Sequence, residues 1–235
     1  MAIVHDLEPI TLIGGGLVRE SDLTDCLTLA PRLVAADGGA LQALDFGVMP
    51  EAVIGDMDSG HDVEDRGVPP EALHRIDEQD STDFDKALRN IDAPLVLGVG
   101  FAGRRIDHEL ACYNALLRHA DRRCILVGSD DVVCLCPRKL YLPLEAETRV
   151  SLFPLAPVTG RSDGLAWPIE GVQFAPDGAI GTSNAAKGPV TLEIDAPGLL
   201  LILPRVALSM LVKALLEQRG SWFARAEQYR DPQQS

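Results

Sequence analysis

The sequence predicts an α/β protein: a mostly parallel α/β domain followed by a small antiparallel β-sandwich. Three observations carry this expectation. Over the first 140 residues, short apolar runs end in Gly or Asp and give way to segments of helical spacing, the pattern of strands alternating with helices. Beyond Arg138 the pattern changes, and Pro143, Pro154, Pro157, Pro168, Pro176 and Pro189 punctuate short β-rich runs, as in a small sandwich or barrel. The chain has 235 residues, 46% hydrophobic and 24% charged, a globular composition long enough to bury a substantial core.

The elements follow in order. Ile10-Thr11-Leu12-Ile13 runs into Gly14-Gly15-Gly16. Leu33-Val34-Ala35-Ala36 runs into Asp37-Gly38-Gly39, after which Ala40, Leu41, Ala43 and Leu44 recur at helical spacing. Ala52-Val53-Ile54 ends in Gly55-Asp56, Leu95-Val96-Leu97 in Gly98, and Cys124-Ile125-Leu126-Val127 in Gly128. The Gly and Asp residues thus stand at the carboxyl ends of strands, where open α/β sheets bind ligands. In the second half, Arg149–Phe153, Val190–Ile194 and Leu199–Leu203 read as strands, and the domain boundary is expected near residues 137–143. Helical spacing returns from Val206 to Gln218, and Asp231–Ser235 reads as a frayed end.

The formal charge is −14, and all of it lies in residues 1–92, which hold 20 acidic and 6 basic side chains. This balance argues against nucleic acid and anionic membrane surfaces as partners. No apolar run approaches the ~20 residues that span a bilayer. The first residues lack a basic segment followed by an apolar stretch, so no secretory signal is expected. The five cysteines include no Cys-x-x-Cys pair, which fits a reducing, cytoplasmic setting. Cys134 and Cys136 alternate in an apolar run and should share one buried strand face.

Several segments carry candidate chemistry. In Gly55-Asp56-Met57-Asp58-Ser59, two carboxylates on extended chain would point the same way. Held close, they need a cation or a proton between them, and Mg²⁺ accepts one or two carboxylates with water and phosphate oxygens. In Gln79-Asp80-Ser81-Thr82-Asp83-Phe84-Asp85-Lys86, the spacing of Phe84, Ala87, Leu88 and Ile91 predicts a helix capped by Ser81 or Thr82. Asp83 would then favour the helix dipole or add a third carboxylate to the cation. The capping hydroxyl and free amides would face phosphate.

Gly98-Val99-Gly100-Phe101-Ala102-Gly103 matches the dinucleotide fingerprint. It sits in mid-chain, Arg104 and Arg105 follow at once, and no acidic residue closes a strand at the usual ~20-residue distance. A glycine turn followed by arginines suits phosphate, with a nicotinamide-dependent oxidoreductase as the alternative. Asp107 and His108 open the next helix. In the second domain Gly164-Leu165-Ala166-Trp167-Pro168 precedes Gly181-Thr182-Ser183-Asn184. Trp167 is a core residue or a platform for a flat cationic ring. No His/Cys grouping has zinc spacing, and no nucleophile elbow is present.

In this order the segments resemble the thiamine pyrophosphokinase family. The matching pieces are Ala36–Ala40, Gly55–Ser59, Asp80–Phe84, Gly103–His108, Gly164–Pro168 and Thr182–Asn184, spread from about residue 10 to 204. The resemblance implies a Rossmann-like nucleotide domain over 1–140 and a β-sandwich thiamine domain over 141–205, with 206–235 a helical extension and tail to which nothing is carried over. It implies transfer of a pyrophosphoryl group from ATP to the thiamine hydroxyl, releasing AMP, with a related pyrophosphokinase acting on another small alcohol as the alternative. Asp56, Asp58 and Asp83 would hold Mg²⁺ and carry catalysis. Asp37, Gln79, Thr82, Arg105 and Asp107 would bind the nucleotide, and Trp167, Ser183 and Asn184 would bind thiamine. A homodimer is implied, with thiamine between the first domain of one subunit and the second domain of its mate. Arg104 stands where the family commonly has a second glycine.

Overall fold

The structure, a computed structural model, describes residues 2–58, 60–218 and 222–223. Ser59 and the expected frayed end at 231–235 lie outside the described residues. The chain divides into two compact units, Met1–Ala115 with Leu126–Ser129, and Leu116–Ile125 with Asp130–Ser235.

The first unit contains β1 (Val4–His5), β2 (Ile10–Ile13), α1 (Glu20–Leu29), β3 (Arg32–Ala36), α2 (Gly39–Asp45), β4 (Ala52–Gly55), α3 (Gly60–Asp65), β5 (Leu73–Arg75), α4 (Asp83–Asn90), β6 (Ile91–Asp92) and β7 (Val96–Val99). The division falls inside α5 (Ile106–Arg118) and β8 (Cys124–Val127). The strand order is β7-β2-β3-β4-β5, and every pair along it is parallel. β2, β4 and β7 are buried along their whole length. That is why they read as continuous apolar runs rather than alternating ones.

Parallel neighbours need crossover connections, and α1, α2 and α3 provide them between successive strands from β2 to β5. The chain steps in one direction from β2 to β5, while β7 lies on the other side of β2. The order therefore reverses between β2 and β7, and a crevice opens beyond the carboxyl ends of strands at such a switch point. The helix expected after Thr82 is α4, and Phe84, Ala87, Leu88 and Ile91 are all buried.

The second unit contains β9 (Asp131–Leu135), β10 (Lys139–Leu142), β11 (Arg149–Pro154), β12 (Gly160–Leu165), β13 (Gly181–Ile194), β14 (Leu199–Pro204) and α6 (Leu208–Glu217). Its strand order is β10-β13-β11-β14-β9, with β12 also on β13, and all of these pairs are antiparallel. β13 pairs with β11 through its first residues and with β10 and β12 through its last.

β9 lies before the 137–143 boundary read from the sequence, yet it pairs antiparallel with β14. An apolar run straight after β8 looks like one more parallel strand, because its partner lies more than sixty residues away. Cys134 and Cys136 are both buried. The helix at the C-terminal end is α6, which packs on β10. The Gln218 side chain continues this contact, accepting from Tyr141 N at 2.7 Å and donating to Tyr141 O at 3.0 Å.

Candidate active site

The carboxyl ends of β2, β3, β4 and β7 line one cleft of about 480 Å³ in the first unit. Gly15 and Gly16 follow β2, Asp37 and Gly38 follow β3, Asp56 follows β4, and Gly100, Phe101 and Ala102 follow β7. The loop before α4 adds Gln79, Ser81 and Thr82, α4 adds Asp83 and Lys86, and the start of α5 adds His108 and Cys112. Arg104 and Arg105 complete the wall.

Glycine is required where these turns meet. Gly100 has φ +81°, and a Cβ there would lie 2.6 Å from Gly14 O. Gly16 N donates to Gly100 O at 2.8 Å, tying the turns on either side of the switch point. A Cβ on Gly55 would lie 2.6 Å from Asp37 Cβ, so the ends of β3 and β4 approach as closely as they do only because Gly55 has no side chain. Asp37 itself has φ +37°.

Thr82 is the N-cap of α4, its hydroxyl accepting from Asp85 N at 3.3 Å. The free amides of the first turn and Asp83 are thereby presented together at one end of the cleft. The bidentate Arg89–Glu78 pair, 2.6 and 3.3 Å, ties α4 to the loop carrying Gln79. The hydrogen bonds from Arg89 hold the Glu78 carboxyl below its ordinary value. Phe84 of α4 meets Phe101 of the β7–α5 turn with ring centroids 4.6 Å apart, which joins two walls of the cleft by packing.

The side chain that sequence reasoning passed over is Lys86. It is only 2% exposed, and its Nζ lies 3.3 Å from Asp56 Oδ2 and 3.2 Å from Asp83 Oδ1. Burial opposes its charge, but the hydrogen bonds and negative charges of Asp83 and then Asp56 outweigh burial and raise the ammonium above its ordinary value. A signal existed in the i,i+3 spacing of Asp83 and Lys86 on the predicted helix. A lysine is ordinarily read as solvated, and its burial is decided by Asp56, thirty residues away.

Of the expected site residues, the cleft brings together Asp37, Asp56, Gln79, Thr82, Asp83 and Arg105. Asp58 is exposed and outside the lining. The expectation that Asp56 and Asp58 point the same way assumed extended backbone between them. Met57 has φ +63°, which breaks the alternation, and Asp58 N instead turns back toward Asp56 Oδ1 at 3.3 Å. Asp107 is also exposed outside the lining, where it pairs with Arg105 at 2.5 and 3.2 Å. That hydrogen bond lowers the Asp107 carboxyl and raises the Arg105 guanidinium.

Arg104 reaches back across the cleft, Nη1 donating to Gly15 O at 3.3 Å. Burial pushes the Cys112 thiol up to about 12, so it stays protonated at neutral pH and is no nucleophile. Among the described residues no three His, Cys, Asp or Glu side chains form a ready metal cluster. Two carboxylates converging on one positive centre do match what Mg²⁺ requires of a protein, since it takes its remaining ligands from water and phosphate.

The second unit positions Trp167, Ser183 and Asn184. Two residues of β11 span the same length as three of β13, from the Val150–Asn184 pair to the Leu152–Gly181 pair. Ser183 lies in this bulge at φ +61°, its N–H donating to the hydroxyl of buried Ser151 at 3.0 Å. Asn184 is buried, and its amide bonds both backbone groups of Trp167. Trp167 is 64% exposed, which excludes the core reading of this residue.

With the geometry established, the comparisons bear out the family resemblance. Residues 23–127 match the family model for the thiamin pyrophosphokinase catalytic domain. That range contains β3 and β4, all of α4, the Gly98–Gly103 turn and Asp37, Asp56, Asp58, Gln79, Thr82, Asp83, Arg105 and Asp107. Thiamine pyrophosphokinase 1 of Arabidopsis thaliana is 28% identical over 167 residues, 63% of this chain and 62% of that protein. The chain thus spans about 62% of the length of this curated relative.

Among solved structures, thiamine pyrophosphokinase from Bacillus subtilis superposes with a TM-score of 0.67 at 21% identity, covering 84% of this chain and 98% of that one. Thiamin pyrophosphokinase from Candida albicans gives a TM-score of 0.69 at 17% identity, covering 86% and 93%. The α/β fold is that of these structures. In its catalytic-domain sequence and in its fold, this chain is similar to the thiamine pyrophosphokinases.

Proposed function

We propose that this chain transfers the pyrophosphoryl group of ATP to the hydroxyl of thiamine, giving thiamine diphosphate and AMP. The observation that carries the reading is the cleft at the β2/β7 switch point. It gathers Asp37, Asp56, Asp83, Thr82 and two arginines, all within the stretch that matches the pyrophosphokinase catalytic model.

Such transfer asks the protein for positioning and charge neutralisation more than for a covalent partner. Asp56 and Asp83 would hold Mg²⁺, with Asp58, exposed two residues beyond Asp56, as the third carboxylate of this reading. When bound, the cation neutralises the phosphates and the charge that develops on the departing AMP. The glycine turns let backbone N–H groups approach the phosphates, and the α4 first turn adds its free amides. Arg104 and Arg105 add forked donors. Asp107 keeps Arg105 oriented, and Asp37 and Gln79 bind the nucleotide. The thiamine hydroxyl attacks the β-phosphorus and gives up its proton to water, and the bond from that phosphorus to the α-phosphate oxygen breaks, leaving its electron pair on AMP.

The same reading assigns ATP and Mg²⁺ to 1–140 as a Rossmann-like nucleotide domain, and thiamine to a sandwich over 141–205. The expected extension begins at residue 206, and of its span to 235, residues 219–221 and 224–235 lie outside the described residues. Exposed Trp167 stacks on the cationic thiazolium of thiamine, with Ser183 and Asn184 shaping its seat. A homodimer with a composite site and a cytoplasmic location complete it, the latter in keeping with a sequence that has no Cys-x-x-Cys pair. Among the described residues no helix is long and apolar enough to cross a membrane.

Incubation with Mg²⁺, ATP and thiamine, with chromatographic identification of the products, tests the reading. AMP and thiamine diphosphate in equal amounts are expected. ADP as the product, or transfer only to another small alcohol, overturns it.

A further inference from the structure

A buried lysine keeps its charge only when it is paired, and both partners of Lys86 belong to the candidate cation site. Asp56 comes from the end of β4 and Asp83 from the first turn of α4, so one ammonium links two backbone elements. The three groups together carry one negative charge. Without the ammonium, two carboxylates reaching toward the same point would carry two and repel.

We infer that Lys86 is a positioning residue that occupies the cation seat between Asp56 and Asp83 in the ligand-free chain, so that a divalent cation binds weakly alone and tightly only together with an anionic polyphosphate. The inference rests on the reading that these two carboxylates hold the cation. A lone divalent ion meets a like charge and must displace a buried ammonium whose acceptors among the described residues are Asp56 and Asp83 themselves. A polyphosphate supplies that acceptor, because Lys86 lines the same cleft. Metal and nucleotide binding are thereby coupled through one side chain.

The test follows free Mn²⁺ by electron paramagnetic resonance during titration of the full chain without nucleotide. Lys86→Met is expected to bind Mn²⁺ about tenfold more tightly than the unmodified chain, since the site then carries a full extra negative charge. Adding Asp56→Asn to Lys86→Met should return the affinity to its original value, placing the gain at this site. A residue that merely filled space would not move Mn²⁺ affinity in this direction, and unchanged or weaker binding in Lys86→Met overturns the inference.

Lys86→Gln serves as the second variant, with circular dichroism confirming the fold of both. Should neither fold, the unmodified chain labelled with ¹⁵N at lysine Nζ is titrated with Mg²⁺ and a non-hydrolysable ATP analogue. A shifted Lys86 resonance supports the inference, and an unmoved one at saturation overturns it. None of these readouts uses thiamine or turnover. A chain that makes no thiamine diphosphate but shows the Mn²⁺ gain therefore keeps this inference and loses the reading above, and the converse result separates them the other way.

Discussion

One amide ties Asn184 to Trp167: the Trp167 N–H donates to Asn184 Oδ1 at 3.1 Å, and Asn184 Nδ2 donates to Trp167 O at 2.7 Å. Ala185 N fills the remaining acceptor site of that oxygen at 2.9 Å. The carbonyl end of the side chain is thus committed to backbone, and under the proposed function Asn184 would act through the exposed Trp167 it holds in place. Removing the amide leaves polar backbone groups without partners, at a cost of about 1–3 kcal/mol. Asn184→Ala should therefore raise the KM for thiamine about tenfold, equivalent to ~1.4 kcal/mol, with a smaller effect on the KM for ATP. In a Trp222→Phe background, the fluorescence anisotropy of Trp167 should fall as the ring gains freedom. Unchanged anisotropy together with unchanged KM would refute the positioning role.

How much of this was legible in the sequence depends on where each residue's environment is decided. β2, β3 and β4 are legible because their doubly buried apolar runs stop at Gly or Asp. Those stops in turn reveal Asp37 and Asp56. β5 (Leu73–Arg75) and β12 (Gly160–Leu165) are not, because they are short or polar and exist only through the strands beside them. The same division runs through the site. Asp83 and Thr82 follow from local helix capping. The facing of Asp58 was misread because one left-handed residue, Met57, is invisible to a rule for extended chain. Lys86 escapes such a rule because its burial involves Asp56, thirty residues away, and the backbone hydrogen bonds by which Asn184 holds Trp167 are likewise set by a residue seventeen positions away.

The Glu78–Arg89 pair makes the α4 end of the cleft sensitive to acid. Arg89 lowers the Glu78 carboxyl in the folded chain. The pair's contribution is therefore present above the unfolded value of about 4.3 and is lost as pH falls through the lower folded value. The Glu78 side chain is 36% exposed, so solvent screening limits the pair to about 0.5–1 kcal/mol. Glu78→Gln should lower stability by about that much at pH 7, measured by urea unfolding. The difference between the two proteins should shrink as the pH drops below the ordinary carboxylate range. A difference that grows on acidification would assign the effect to another group.

Arg104 stands directly after the glycine turn Gly98–Gly103. Its guanidinium reaches Gly15 O at 3.3 Å and lines the cleft beside Arg105. An exposed cation there attracts phosphate without touching the carboxylates, so its contribution should be to binding and should be screened by salt. Arg104→Ala is expected to raise the KM for ATP about five- to tenfold at low ionic strength, with kcat nearly unchanged and the gap narrowing in high salt. A fall in kcat at constant KM would instead place Arg104 in the transition state.

The contact between Gly55 and Asp37 offers the sharpest mutational test of how the site is assembled. An added Cβ at Gly55 would lie 2.6 Å from Asp37 Cβ and 3.2 Å from Asp37 Cα. It would collide with a neighbouring strand end that is anchored by Asp37 N donating to Ile54 O at 3.0 Å. Gly55→Ala should cost about 1–3 kcal/mol as an overpacking change and lower Tm by about 2–4 °C per kcal/mol for a chain of this size. Because the collision pushes Asp37 away from the cleft, the KM for ATP should rise as well. Asp37→Gly removes the struck Cβ, so the double variant should recover most of the stability lost in Gly55→Ala while nucleotide binding stays impaired. That non-additivity is the signature of direct contact. Simply additive losses in Tm would mean that the strand ends relax apart freely, and that Gly55 does not set the spacing between Asp37 and Asp56.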